Sequence, residues 1–552
     1  MIFSKALNLL EAVFSTFIQV AMSLPDIGKT VPDPKKSDIL DLVGGDGPWQ
    51  RRVFAVIFCC AIPLACHNMG MSFLAPNVDH WCARTPEFAN LSVKEWRIIG
   101  LPPNDNKCSR YKFIDKYGEN GKISNSSIGR TIVKCDSWEY DDSFYYSTIV
   151  NEFDLVCDRE WLVSMSKSIF IAGYFCTMLV FGHVSDRFGR RTVISICNVI
   201  AVISATVSLF SASYFMFGIC RFFIAVGVAG VFSTSFVLLM EVIGPEHRSF
   251  YGMVVNFGFS LGCVSLPVIA WLTRDWFWMQ FVMTVPCYFL LSSWWLLPES
   301  PRWLLSRGKT EETVDLLLKI GSINKKTFPD MENQLRKATT KATEVHGVES
   351  GTGNIFQLFT AQLRRRTMII CFSWFVISFV YYGLSYNTND LAGDPFVNFA
   401  LYAVIEIPAY FFPLFVIRKW GRRNPMAFTL ITGGAACLAM YPIPQDPWWI
   451  SVSVSLFGKF CITCSFAILY IFTVELFPTV LRNIGLGSAS MCGRSGSFIA
   501  PFMRELGYAT HPVVPQLLFG VLAATSGFLG LLLPETNNTT VPDTIEEAGE
   551  MS

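Results

Sequence analysis

The chain has 552 residues, of which 52% are hydrophobic and 16% charged, and its 44 Lys and Arg balance 43 Asp and Glu to a net charge of +1. Apolar stretches of about twenty residues recur along the whole length, which excludes a soluble core and describes a polytopic membrane protein. The near-neutral balance argues against nucleic acid as a partner and makes charge informative only through its placement.

Residues 1–50 read as a cytoplasmic tail. Their apolar stretch AVFSTFIQVAM, with Lys5, Glu11 and Gln19 nearby, has too weak a basic leader for a signal peptide and reads as part of that tail or as a segment lying on the membrane surface. Spans are then expected to begin near Val53, Val163, Val193, Ser213, Tyr251 and Phe277, giving a first half over residues 51–298. A second half over 367–534 has spans beginning near Met368, Phe396, Met426, Trp448, Asn483 and Val514. The polar segment 299–366 joins them, with helical periodicity in TEETVDLLLKI (Thr310 to Ile320), and 535–552 is a polar tail.

Basic residues cluster in alternate loops: Arg187, Arg190 and Arg191; Arg302, Arg307 and Lys309; Arg364 to Arg366; Arg418, Lys419, Arg422 and Arg423. The positive-inside rule places these loops and both termini in the cytoplasm. The segment between the first two spans, about 76–161, is then outside. It carries Cys82, Cys108, Cys135 and Cys157, expected to form disulfides, and glycosylation sequons at Asn90 and Asn125, all suited to an oxidising compartment. Four cysteines allow three pairings, which spacing does not choose between. The cysteines within spans read as small buried apolar residues, and the sequons at Asn537 and Asn538 as unused.

The sequence also repeats itself. DRFGRR (Asp186 to Arg191) aligns with RKWGRR (Arg418 to Arg423), MEVIGPEHR with VELFPTVLR, and LLPESPRW with LLLPETNN. Such symmetry indicates two six-span halves about an axis along the membrane normal, with a substrate site between them at mid-membrane.

The charged residues of these repeats lie at expected cytoplasmic helix ends: Asp186, Glu241, Glu299, Glu475 and Glu535 beside Arg187, Arg190, Arg191, Arg248, Arg302, Arg422, Arg423 and Arg482, with Gly189 in the first turn. Ion pairs between the halves are expected to lock the inner side. Arg418, standing where the first half has Asp186, argues against a symmetric gate.

Inside the spans, Trp374, Ser378, Tyr381 and Tyr382 share one face of the seventh, with Tyr386 a turn further, and Asn398, Tyr402 and Glu406 share a face of the eighth. Ser490, Arg494 and Ser497 share a face of the eleventh, where Arg494 interrupts an otherwise uncharged run. An intramembrane charge costs roughly 2.5 to 3.5 kcal/mol on insertion scales and normally marks a pathway or a site. Two readings compete: Arg494 and Glu406 neutralise each other, or they are the poles of a wet cavity, with Glu406 and the tyrosines taking a cationic nitrogen and Arg494 a carboxylate. His67 and Asn68 in the first span are further candidates, although a lone buried His is more often a satisfied structural residue.

GHVSDRFGRR resembles the loop motif of the major facilitator superfamily. NEFDLVCDREWL, ESPRWLLSRGK, FTVELFPTVLRNIGLG and the long first extracellular segment resemble the organic cation, carnitine and organic anion transporter family within it, from about Gly47 to Glu547. The resemblance implies an all-α membrane protein with twelve transmembrane helices, alternating access and a gating role for the loop charges. GLSYNTNDLAGDPFVNFALYAVIEIPAY and VPDTIEE are similar to the carnitine and zwitterion branch, whereas HNMGMSF (His67 to Phe73) is similar to anion members. Pure cation members tend to carry an acid where this chain has Arg494; carnitine-type and anion-type members tend to carry arginine.

The expected function is secondary transport of small organic cations or zwitterions, carnitine-like or amine compounds, across the plasma membrane. Organic anion transport is the alternative within the family. A sugar porter is suggested by PESPRW and PET but opposed by Glu406, Arg494 and the ectodomain, and a non-transporting sensor is a third class. No P-loop, metal-ligand spacing or nucleophile elbow is present, so no enzyme activity, catalytic residue or metal site is expected. No cofactor is expected; sodium or proton coupling and the oligomeric state are left open, with the substrate and the lipid bilayer as the implied partners.

Overall fold

The computed structural model describes residues 39–103, 105–112, 131–326, 330–346, 355–390, 393–441, 448–478 and 481–537. The expectations for residues 1–24, Asn125 and Asn538 lie outside these. Among the described residues, 8 helices are long and apolar enough to cross a membrane: Pro48–Leu74, Cys157–Phe188, Arg190–Ser208, Tyr214–Val242, Phe250–Thr273, Arg364–Tyr386, Pro395–Trp420 and Trp448–Leu476. Trp276–Leu290, Arg423–Ala439, Arg482–Ile499 and Val514–Gly530 are shorter or more polar and stand where the sixth, ninth, eleventh and twelfth spans are expected. The eleventh is the most polar because it contains Arg494 and a run of Gly and Ser that lets it approach the seventh closely, Gly493 lying against Ser378 and Trp374.

The junction of the second and third spans is a single residue. Gly189 has φ 94°, and a Cβ there would lie 2.5 Å from Glu299 Oε2. Gly421, between the eighth and ninth spans, repeats this with φ 77° and a virtual Cβ 2.6 Å from Glu535 Oε1. Only glycine combines a positive φ with room for the carboxylate.

One apolar cluster runs through both halves and reaches Leu358, Leu363, Phe477, Leu481 and Leu533 at the end of the second half near the joining segment. A second lies at the cytoplasmic side of the first half, where Leu40, Val43 and Val53 pack with Val314, Leu317, Ile320 and Leu335 of the joining segment. Asn324 fixes this contact: its Oδ1 accepts from the Trp49 amide at 3.1 Å, and its Nδ2 donates to Val43 O and Gln50 Oε1, both at 3.0 Å.

The segment between the first two spans holds two antiparallel ribbons, His80–Cys82 with Trp138–Tyr140 and Ser109–Lys112 with Thr131–Lys134. Its helix Val93–Ile99 begins at Ser92 with a reciprocal cap from Glu95. The disulfides are Cys82–Cys135 and Cys108–Cys157, which resolves the open pairing, and Asn90 is exposed. Burial raises the Asp79 carboxyl pKa, but the hydrogen bond from Arg97 and the charges of Arg97 and Lys107 outweigh it and hold the group below the ordinary value.

On the outer side the halves are joined. Ser164 Oγ is 2.9 Å from Pro501 O and 2.6 Å from Glu505 Oε1, and Ser168 Oγ donates to Phe498 O at 2.7 Å. Arg504 pairs with Glu160 at 2.8 Å, and Phe73 packs on Phe396 and Phe399 with centroids 5.7 and 4.9 Å apart.

Gly189→Ala and Gly421→Ala are each expected to lower stability by about 1 to 3 kcal/mol, since the strained φ and the carboxylate contact act together. Gly182→Ala, where nothing lies within 4 Å of the virtual Cβ, should be neutral. Thermal melting of the purified variants in detergent checks both statements.

Candidate substrate-binding site

At mid-membrane the eighth span turns the buried carboxylate of Glu406 inward, and the group that meets it is Lys459 of the tenth span. Lys459 Nζ lies 2.9 Å from Glu406 Oε1, 2.7 Å from Ser385 Oγ and 3.1 Å from the centre of the Tyr381 ring, while Tyr381 donates its hydroxyl to Glu406 at 2.5 Å. Both partners are almost sealed, with side-chain exposures of 1% for Lys459 and 3% for Glu406. Glu406 Oε2 has no hydrogen-bond partner among the described residues. These groups line a small cavity with Met69, Cys263, Phe399 and Tyr402, and Tyr402 meets Ser455 through its hydroxyl.

This overturns the mutual neutralisation of Glu406 and Arg494. The Arg494 guanidinium stacks instead on Tyr174 of the second span, 3.9 Å from the ring centre, and is only partly buried. The reason is geometric: equal depth on two helices does not bring side chains together when the tyrosines of the seventh span stand between them. Those rings form a continuous path, Tyr381 to Tyr382 at 5.4 Å and Tyr382 to Tyr386 at 5.8 Å, and Asn68 of the first span donates to the Tyr382 hydroxyl at 3.0 Å. Arg494 is close enough to Tyr382 and Tyr470 to act on both electrostatically. Trp374 is tied away from this path, donating to Thr473 at 3.0 Å and packing on Tyr470. Asn398 is buried one turn from Tyr402 on the eighth span.

His67 departs from the satisfied histidine expected. It is fully buried, and neither ring nitrogen has a hydrogen-bond partner among the described residues. Lys459, Arg221 and Lys167 escaped the sequence reading although each is a lone basic residue in an apolar run, in FGKFC, ICRFF and MSKSI, the same signal that exposes Arg494.

Among the described residues, the ion pairs of Arg190 and of Arg422 each lie within one half. In the first, Arg190 binds Glu241 at 2.7 Å and Asp186 at 3.0 Å, while Glu299 accepts the Arg190 and Arg191 amides at 2.8 and 3.4 Å. In the second, Arg422 binds Glu475 at 2.9 Å, and Glu535 accepts the Arg422 and Arg423 amides at 2.8 and 3.1 Å. Glu299 and Glu535 each sit at a helix N-terminus, where free N–H groups and the dipole favour an anion. Despite Arg418 the two clusters share an arginine–glutamate pair and a carboxylate on two backbone amides; they differ in the Asp186 contact of the first and the Asn537 contact of the second. Arg187 stacks on Phe188, and Arg248, Arg302 and Arg482 also have interaction partners.

The sugar (and other) transporter family matches residues 119–547. An organic cation transporter protein of Drosophila melanogaster is 36% identical over 92% of this chain and 94% of its own. Organic cation/carnitine transporter 2 of Homo sapiens is 31% identical over 92% and 93%, and organic anion transporter 3 of Oryctolagus cuniculus is 31% identical over 93% of each. The chain belongs to the organic cation, carnitine and organic anion transporter family of the major facilitator superfamily. In fold it is similar to the proton:xylose symporter XylE, with a TM-score of 0.59 and 18% identity over 91% of this chain and 99% of that one. It is thus a multi-pass secondary transporter of small organic solutes with the twelve-helix major facilitator fold, and not an enzyme.

A buried pair is costly to break from one side, about 3 to 5 kcal/mol, because the remaining charge loses its partner. Lys459→Met is therefore expected to lower the melting temperature and surface yield sharply, and Glu406→Gln/Lys459→Met to recover most of the loss. Fluorescence-detected melting of the three variants measures this coupling.

Proposed function

We propose that this transporter carries zwitterionic or mixed-charge amines across the plasma membrane, with both termini cytoplasmic and Asn90 glycosylated. The observation that carries the reading is the seat of Lys459. A carboxylate, an aromatic face and a hydroxyl surround its ammonium, which is the set of contacts a substrate ammonium needs. The protein's own cation holds that place while the free Glu406 Oε2 leaves one acceptor for an incoming donor. Arg494 supplies the opposite pole, a fork of donors suited to a carboxylate and held by Tyr174 without an acidic partner among the described residues. Tyr382, Tyr386 and Asn68 line the path between the poles; Tyr402, Asn398 and His67 frame it.

Substrate exchange follows from the two halves, residues 51–298 and 367–534, rocking about this centre. The cytoplasmic clusters of Asp186, Arg190, Glu241 and Glu299 and of Arg422, Glu475 and Glu535 act as gate supports that keep each half rigid. The second reading, an organic anion carrier, is favoured by one feature: Lys459 cancels Glu406, so Arg494 is the uncompensated charge of the centre.

Arg494→Ala should weaken uptake of a carnitine-like zwitterion by up to about 2 to 5 kcal/mol more than uptake of the matched cation lacking the carboxylate. Equal losses would remove Arg494 from substrate recognition. The same panel, extended to a dicarboxylate and run with and without sodium and a proton gradient, separates the anion reading and reveals the coupling ion; saturable dicarboxylate uptake without zwitterion uptake decides for the anion carrier.

A further inference from the structure

Arg221 of the fourth span is fully buried. Its Nη2 donates to His67 O at 2.8 Å and its guanidinium stacks 4.6 Å from the centre of Phe170, but Nε and Nη1 have no hydrogen-bond partner among the described residues. No carboxylate forms an ion pair with it among the described residues, and the titratable group beside it is the uncharged phenol of Tyr386. An arginine cannot shed its proton to escape burial, unlike a lysine or histidine. A buried charge with two bare N–H groups therefore favours a negative partner.

The surroundings add positive and donor character. The His67 ring lies close enough to Arg221 to interact with it electrostatically, with both ring nitrogens unpartnered. Lys167, buried in the second span, sits 4.9 Å above the Tyr386 ring. These residues come from the first, second, fourth and seventh spans, with Lys167 on the same helix as the contact residues Ser164 and Ser168. The place is separate from Glu406 and Lys459 and is not the Arg494 position.

We propose that Arg221, with His67 and Lys167, holds a small monovalent anion, either an inorganic halide or the carboxylate of a bound solute. The anion supplies the counter-charge that the fourth span lacks. Because Lys167 and Tyr386 belong to opposite halves, occupancy also bears on how the halves meet.

Purified full-length protein in detergent provides the test, through its melting temperature in sodium chloride titrated against sodium gluconate at constant ionic strength. A saturable rise of roughly 2 °C is expected for chloride, since a ligand bound only by the folded state stabilises it by mass action. Arg221→Lys, which keeps the charge but loses the fork, should need about tenfold more chloride, and His67→Phe should also weaken the response, whereas Arg494→Ala should retain it. In gluconate, a zwitterion such as betaine producing the same rise, lost in Arg221→Lys, identifies a solute carboxylate as the occupant. A chloride response absent from the wild type, or one lost in Arg494→Ala and kept in Arg221→Lys, overturns the proposal, leaving hydration as the partner of Arg221. The readout involves no transport, so its failure is distinct from failure of the zwitterion reading.

Discussion

The constraint on which this structure turns is the carboxylate of Glu406 at mid-membrane. An ion there has no water to answer it, so its position is tenable only with a counter-charge and hydrogen bonds supplied by neighbouring helices. Lys459 and Tyr381 meet that demand from the tenth and seventh spans, and in doing so fix how three helices of the second half face one another. The demand is met only in part. One carboxylate oxygen has no partner among the described residues, and a polar group in that state is a place where a ligand gains more than it would at a fully bonded site.

The cytoplasmic clusters answer a different problem. Glu299 and Glu535 each close a short glycine turn by accepting two successive backbone amides at the start of the next helix, so a glycine, a carboxylate and a helix N-terminus form one unit repeated in both halves. Such units stiffen each half internally. The outer contacts that join the halves are of another kind: two serine hydroxyls, aromatic packing and the Arg504–Glu160 pair near the surface. Partly exposed ion pairs are individually worth little. Strong bonds within halves and weak bonds between them are the distribution that rigid-body rocking needs.

Much of this was legible in the chain. The spans could be placed because an apolar run of about twenty residues has one physical use in a membrane protein, and the repeat DRFGRR with RKWGRR exposed the two halves. The extracellular cysteines announced disulfides, but not their partners, which depend on ribbons whose pairing no spacing encodes. Charge partners were the least legible feature. Depth can be counted along a helix, so Glu406 and Arg494 appeared as mates; azimuth and the intervening tyrosines cannot be counted that way. Lys459 was readable as a lone cation in an apolar span, yet its role depends on Ser385 and Tyr381 from a helix more than seventy residues away in sequence. Likewise, the loop sequences show complementary signs without showing which helix ends adjoin, so the Arg190–Glu241 and Arg422–Glu475 pairs within each half were not legible.

The placement of Arg494 has a consequence for how a substrate could drive the cycle. A ligand shifts a conformational equilibrium only by its differential affinity for the two states, so contacts confined to one half change nothing by themselves. The Glu406, Lys459 and Tyr381 group belongs wholly to the second half. Arg494 and Tyr382 are different: Arg494 stacks on Tyr174 and Tyr382 accepts from Asn68, and both partners belong to the first half. A carboxylate that engages Arg494 competes with an interaction between halves, while an ammonium seated at Tyr381 does not. The two ends of a zwitterion would then have separate tasks, the ammonium contributing affinity in every state and the carboxylate biasing the approach of one half to the other.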